Sequence, residues 1–192
     1  MLKTRVVLLT ALALTLSGCA FGRKVDYSAL APQMTVPSGT SVAVAVSDER
    51  PYVLSGKKEN TFVGVTRGGF YNPFDMNTVS KKPLAIDLQQ SVLGALAKSN
   101  IQAVAVPYQT GFKADSASQR LLVLNVKEWK TDTYGRTRFD YNLNASVIDE
   151  NGKVIGSKSA TNSGAIDNFQ HAGQAALDQV LASPEIVGAL KR

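Results

Sequence analysis

The strongest constraint on the fold is a strict alternation of apolar and polar residues from Arg138 to Val147. Because successive side chains of a strand point to opposite faces, this period of two predicts a long strand with one buried and one wet face. Asn151 and Gly152 follow, a pair that accepts the positive φ of a type I′ turn, and residues 154–162 then predict the returning strand. The segment therefore predicts an antiparallel hairpin, whose expected buried residues are Phe139, Tyr141, Leu143, Ala145 and Val147.

Further strands and helices are predicted around this hairpin. One helix pattern lies between two strands, which allows a right-handed crossover and some parallel pairing. These elements predict an α+β fold, a mixed two-layer sandwich in which a largely antiparallel sheet of about five to six strands carries two main helices on one face. The predicted strands cover residues 40–46, 61–66, 101–106 and 121–129, and the helices cover residues 84–99 and 168–182.

The first residues of the chain do not belong to this fold. Lys3 and Arg5 precede an apolar run over residues 6–16, which is too short to span a bilayer, since a membrane helix needs about 20 residues. A short basic segment followed by such a run is typical of an export signal. The sequence therefore predicts that the chain leaves the cytoplasm.

The export signal ends at Leu16-Ser17-Gly18-Cys19, which resembles the lipobox of bacterial lipoproteins. The resemblance implies cleavage before Cys19 and attachment of lipid to Cys19, the only cysteine in the chain. More than one acyl chain makes such an anchor stable. Ala20 stands where inner-membrane lipoproteins of enteric bacteria have aspartate. The resemblance therefore implies the outer membrane, with the domain facing the periplasm, and the inner membrane is the alternative.

The chain is predicted to have three parts. Residues 1–18 form the signal peptide, residues 19–39 the lipidated N-terminus and a flexible tether, and residues 40–192 a single periplasmic domain. Cleavage removes two basic residues and lowers the formal charge from +6 to +4. So small a charge behind an export signal does not favour a nucleic-acid partner.

Few residues offer catalytic or metal-binding chemistry. One cysteine and one histidine exclude an intramolecular disulfide, a cysteine-pair zinc site and a multi-histidine metal site. No metal and no cofactor is predicted, and the sequence has no nucleophile-elbow, zinc-peptidase or phosphate-loop motif. His171 falls on the predicted solvent side of the last helix, so a hydrolase would need it, or an acidic pair, inside a cleft.

The first strand ends in the charged cluster Asp48-Glu49-Arg50. Because functional residues concentrate in the loops that follow strands, Asp48 and Arg50 are candidates for orienting a ligand. The alternative is a solvated turn in which Arg50 pairs with Asp48 or with another nearby carboxylate.

A long connector over residues 67–82 holds three aromatic residues close together, Phe70, Tyr71 and Phe74. If these side chains are exposed, they are candidates for anchoring a protein or lipid partner, as aromatic residues do in interface hot spots. If they are buried, they form a satellite cluster beneath the connector.

The chain resembles the YajG-type and related periplasmic-facing lipoproteins. The resemblance rests on the lipobox at Cys19, the valine-rich first strand, the helix over residues 84–99 and the hairpin at Asn151-Gly152. The resemblance implies an α/β sandwich and carries no catalytic residues. We therefore expect a non-enzymatic, membrane-anchored lipoprotein whose domain binds or supports another envelope component, with an envelope protein as partner, in an assembly or transport-auxiliary role. The alternative is a small-ligand or glycan-binding lipoprotein with a pocket near Asp48, Arg50 and the connector. An envelope hydrolase is the third reading.

Overall fold

The computed structural model describes residues 24–35, 41–108 and 119–191. Over these residues one sheet of eight strands is covered by helices. The strands are β1 (Lys24–Val25), β2 (Ser41–Asp48), β3 (Phe62–Arg67), β4 (Pro73–Thr78), β5 (Gln102–Ala105), β6 (Arg120–Tyr134), β7 (Arg136–Ile148) and β8 (Val154–Ile166). The helices are α1 (Pro51–Leu54), α2 (Leu84–Lys98), α3 (Phe169–Leu181) and α4 (Pro184–Ala189).

The long strand β6 organises the sheet. β7 pairs with β6 antiparallel along the length of β6, so β2 and β3 share the opposite edge of β6, one after the other, and both run parallel to it. On the far side of β2 lies β5, again parallel, with α2 in the preceding connection. β4 pairs antiparallel with β3, β1 pairs parallel with β4, and β8 pairs antiparallel with β7.

The predicted α+β class is confirmed, but the sheet is larger and less antiparallel than expected. It has eight strands instead of five to six over the described residues, and four of its seven strand pairings are parallel. The unexpected strands are β1 and β4. β1 has two residues, and β4 buries only Met76 and Thr78, so neither has an apolar alternation that sequence can reveal.

The predicted hairpin is confirmed, and its turn differs from the predicted type. All five apolar residues of β7 named above are buried. Of the turn residues only Gly152 has a positive φ, of 80°, and its N–H donates to the carbonyl of Asp149 at 3.0 Å. The Asp149 carboxylate accepts from the N–H groups of Asn151 and Lys153 at 2.9 and 2.8 Å. The turn is therefore a three-residue loop with Gly152 as its bulge residue, not a type I′ turn.

The core lies between one face of the sheet and the helices. α2, α3 and α4 all contribute to a single cluster of buried apolar residues that also includes the inward face of β6 and β7. Asn168 caps α3, accepting the N–H of His171 at 3.0 Å. No helix within the described ranges is both long enough and apolar enough to cross a membrane.

Residues 24–35 are packed onto this core, although the sequence predicts a flexible tether there. Tyr27, Leu30 and Met34 are buried, and the ring of Tyr27 meets Trp129 edge-on at 5.2 Å. These scattered apolar residues have no helix or strand period, which is why the segment resembles a tether in sequence. The remaining residues of the predicted tether, and Cys19 itself, lie outside the described ranges.

Candidate interaction surface

Arg50, one of the predicted ligand-binding residues, is an internal structural group. Its side chain is fully buried and holds Asp48 with two hydrogen bonds, from Nε to Oδ1 and from Nη2 to Oδ2, each 2.7 Å. Its other contacts are backbone carbonyls, those of Phe62 and, at 3.2 Å, Asn60. The guanidinium donors therefore serve protein acceptors, and Asp48 is already paired.

The position of Arg50 follows from the course of β6. β2 leaves the edge of β6 at Val126 and β3 joins that edge at Thr131, so a gap separates the two strands. Arg50 Nη1 reaches the carbonyl of Trp129 in this gap at 3.5 Å. The buried charge thus supplies donors where no strand does, and the structure does not open Asp48 and Arg50 towards a ligand.

Tyr52 closes the same gap beside Arg50. Its hydroxyl donates to Glu128 Oε1 at 2.7 Å, and its ring lies 5.5 Å from the Arg50 guanidinium carbon. Burial and the neighbouring Glu128 carboxylate raise the pKa of Tyr52 well above its ordinary value, so the hydroxyl stays protonated as a donor.

The aromatic residues of the predicted connector are exposed at one end of the sheet. Phe70 is 95% exposed, Tyr71 56% and Phe74 36%, and a fourth ring, Tyr134 at the end of β6, is 53% exposed. These four residues are called the aromatic tip. The connector is a turn followed by β4, not an irregular loop over its whole length.

Two turns form the aromatic tip because β3 and β6 run parallel. Thr66 of β3 lies opposite Thr133 of β6, so both strands finish at the same end of the sheet. The turn between β3 and β4 and the turn between β6 and β7 therefore emerge side by side. Tyr71 and Tyr134 meet there edge-on, with ring centroids 4.9 Å apart.

Tyr71 is held in an uncommon backbone conformation. Its φ is 68°, in the left-handed region, which costs a residue with a side chain about 1–2 kcal/mol. Its N–H donates to the carbonyl of Gly68 at 2.8 Å, and Arg67 stacks over its ring at 4.3 Å. The stacked Arg67 and the edge-on contact with Tyr134 offset the backbone cost and fix the tyrosine at the tip.

A shallow groove of about 440 Å³ runs from the aromatic tip along the solvent face of β6 and β7. Arg67 binds the Asp132 carboxylate through two hydrogen bonds of 2.8 and 2.6 Å, and Arg138 Nε binds Asp140 at 2.9 Å. The residues that line the groove are Tyr71, Lys130, Asp132, Tyr134, Arg136, Arg138 and Asp140.

The groove carries an excess of positive charge. Hydrogen bonds from Arg67 lower the pKa of Asp132, and although burial raises the pKa of Asp140, hydrogen bonds from Ser163 and Arg138 outweigh it. Both carboxylates are therefore ionised at neutral pH and already paired. Within the described ranges Lys130 and Arg136 have no ion-pair partner, so cations outnumber carboxylates by four to two when Arg67 is included.

His171 is exposed on α3, away from the residues that line the groove. The described residues contain no group of three or more histidine, cysteine, aspartate or glutamate side chains that could hold a metal ion. The groove combines aromatic faces with cations, which suits recognition of an anionic, partly apolar surface.

Three of the four residues of the aromatic tip are recognisable from sequence. Phe70, Tyr71 and Phe74 were candidates, while Tyr134 and the cations Lys130 and Arg136 were not. Gly135 gives the turn after Tyr134 a sequence signal, but only the parallel pairing of β3 with β6 brings this turn beside the connector. That pairing joins distant segments and has no local sequence signal.

Comparisons with known proteins do not identify the chain. No family model and no curated protein sequence matches it. A Xanthomonas campestris protein of the DUF330 family is 17% identical over 88% of this chain and 86% of its own, with a TM-score of 0.48. A PelC dodecamer from Paraburkholderia phytofirmans is 13% identical over 80% and 95%, with a TM-score of 0.46. Lipoprotein GNA1162 from Neisseria meningitidis is 14% identical over 71% and 92%, with a TM-score of 0.32. At these identities and TM-scores the likenesses assign neither family nor function.

Proposed function

We propose that the chain is a non-enzymatic lipoprotein of the bacterial outer membrane, anchored through Cys19, whose domain binds another envelope component through the aromatic tip. The export signal and lipobox support the location, and the tip supports the binding role. The component is bound at an exposed surface and not enclosed in a pocket.

The observation that carries this proposal is the exposure of four aromatic rings beside unpaired cations. Aromatic residues are the most effective anchors of binding surfaces when partners cover them, and large exposed apolar groups mark interaction sites on soluble domains. Phe70 at 95% exposure makes almost no contact within the domain. Its side chain therefore serves a contact outside the domain better than it serves the fold.

The other two readings have less support. The ligand-binding alternative needs Asp48 and Arg50 beside the connector, but Arg50 is buried and saturated with protein acceptors. Neither Asp48 nor Arg50 lines the groove at the aromatic tip. A hydrolase would need His171 or an acidic pair inside a cleft, but His171 is exposed on α3, and the two aspartates of the open groove, Asp132 and Asp140, are each paired with an arginine.

The binding role is tested by placing a photo-crosslinking amino acid at position 70 of the full-length protein in living cells. We expect a defined adduct with one envelope component, protein or lipid, because the side chain at position 70 projects from the tip. Val154, 53% exposed at the opposite end of the sheet, is the matched control position. Equal labelling from both positions, or none from position 70, would show that the tip is not the binding surface.

The anchor is tested separately with Cys19→Ala. This variant should fail to incorporate radiolabelled fatty acid, while Ser17→Ala, which keeps a small residue beside the cleavage site, should still incorporate it. Incorporation into the Cys19→Ala variant would disprove lipidation at this residue.

A further inference from the structure

We infer that the component bound by the aromatic tip is the anionic bilayer surface itself, so that the domain touches the membrane a second time beyond its lipid anchor. This inference rests on the proposed function, since it takes Cys19 as the lipid-bearing residue. It names the partner of the same surface: phospholipid headgroups and the outermost acyl region.

The direction of β1 shows from which side the chain enters the domain. Lys24 lies opposite Asn77 and Val25 opposite Thr78, in parallel register with β4. β4 begins at Pro73, beside the turn that carries Phe70, and runs away from the tip. β1 therefore also runs away from the aromatic tip, and its first residue is the end nearer to the tip.

The length of chain before β1 limits where the anchor can be. Cys19 precedes Lys24 by five residues, which span at most about 18 Å when fully extended. The strand pairings give the level of Lys24 in the sheet. Lys24 lies opposite Asn77 of β4, Asn77 lies opposite Phe62 of β3, and the parallel pairing of β3 with β6 puts Phe62 near the level of Trp129. From that level Tyr134 is five residues away, about 17 Å along the strand, whereas Leu121 at the other end is eight residues away, about 26 Å. The anchor can therefore reach the level of the aromatic tip, whereas the opposite end of the sheet lies beyond the span of these five residues.

The chemistry of the tip suits a bilayer surface. Phe70 supplies an exposed apolar group, and Tyr71 and Tyr134 have the apolar body and polar hydroxyl of residues that concentrate at membrane interfaces. Lys130 and Arg136 are unpaired within the described ranges and face the same side, where anionic headgroups attract basic residues. The two nearby carboxylates, Asp132 and Asp140, are each bound by an arginine, so four cations still stand against two carboxylates around the groove.

The test uses the full-length lipidated protein, reconstituted in vesicles of phosphatidylethanolamine and phosphatidylglycerol whose acyl chains are brominated to quench tryptophan. Two variants are compared with the parent protein: Phe70→Trp at the tip and Val154→Trp at the opposite end. The native Trp129 is fully buried, so its emission provides a constant background and reports that each variant is folded. We expect brominated lipid to reduce the emission added at position 70 about twofold or more, and to leave the emission added at position 154 unchanged.

Charge reversal and lipid composition test the headgroup contribution. Lys130→Glu combined with Arg136→Glu should abolish the quenching at position 70. The same loss is expected for the parent tip in vesicles made only of brominated phosphatidylcholine, which has no net charge. Equal quenching at positions 70 and 154, or no quenching at position 70 in a folded protein, would overturn the bilayer as partner. A protein adduct from the crosslinking experiment without quenching would overturn this inference and leave the proposed function intact. Neither adduct nor quenching would overturn both.

Discussion

At the scale of single residues, Arg50 fills a gap in the sheet with guanidinium donors for backbone carbonyls and for Asp48. The carbonyls of Asn60, Phe62 and Trp129 all face its guanidinium, and Asp48 neutralises its charge. A buried pair of this kind is costly to break, because the remaining partner keeps its charge where little of it can be hydrated.

We predict that Arg50→Met lowers the free energy of unfolding by about 3–5 kcal/mol, measured by urea denaturation, since the Asp48 carboxylate loses its buried cationic partner. Arg50→Lys should restore little, because an ammonium group cannot make the two parallel bonds to Asp48. Arg138→Met is the control: it removes a largely exposed pair and should cost less than about 1 kcal/mol. Equal effects of Arg50→Met and Arg138→Met would contradict a structural role for Arg50.

At the scale of elements, the segment over residues 24–35 belongs to the folded domain. Ser91 Oγ of α2 donates to the carbonyl of Leu30 at 2.9 Å, and the Asp178 carboxylate of α3 accepts the N–H of Gln33 at 2.6 Å. A Cβ on Gly173 of α3 would lie 3.2 Å from atoms of Leu30. The segment is therefore held by both main helices and approaches α3 closely because glycine is there.

Tyr27→Ala should lower the free energy of unfolding by about 3–5 kcal/mol, as expected for removing a large buried ring. The matched control is Tyr108→Ala, the same chemical change at a side chain that is 42% exposed, with an expected effect within about 0.5 kcal/mol. Urea denaturation of both variants measures the difference. If the free energy of unfolding changed as little for Tyr27→Ala as for Tyr108→Ala, the segment would behave as a tether and not as part of the domain.

β7, α2 and α3 were predictable from sequence because each has a regular apolar period, and β1 and β4, which lack one, were missed. β7 has five buried residues at every second position, and α2 and α3 each present an apolar face, so their periodicity is visible. β4 and residues 24–35 depend on neighbours that the rest of the fold brings to them. The same limit applies to the aromatic tip: three of its rings were visible as a cluster, but their exposure depends on how the turns emerge from the sheet.

At the scale of the whole molecule, both ends of the described chain contribute to one core. Trp129 at its centre contacts Tyr27 from the N-terminal segment and Phe139 from β7, with ring centroids 5.2 and 5.0 Å apart. α3 and α4, near the C-terminus, belong to the same buried cluster. Such sharing favours a single cooperative unfolding transition.

We predict that urea unfolding followed by Trp129 fluorescence coincides with unfolding followed by far-ultraviolet circular dichroism. Trp129 is the only tryptophan and is fully buried, so its emission shifts when the shared core opens. Circular dichroism reports the loss of the sheet and helices together. A fluorescence change at lower urea concentration would show that the N-terminal segment detaches first.

Because of its position in the sheet, β6 tolerates a change in its number of residues less well than a change of side chain. β2, β3 and β7 all take their register from this strand, across its two edges. Deleting one residue inside Arg120–Tyr134 would turn the following side chains to the opposite face and misalign three neighbours at once. Glu150 to Gly152, in the exposed turn after β7, carry no such constraint. An engineer adding an epitope or a fluorescent label should therefore extend that turn and leave the length of β6 untouched.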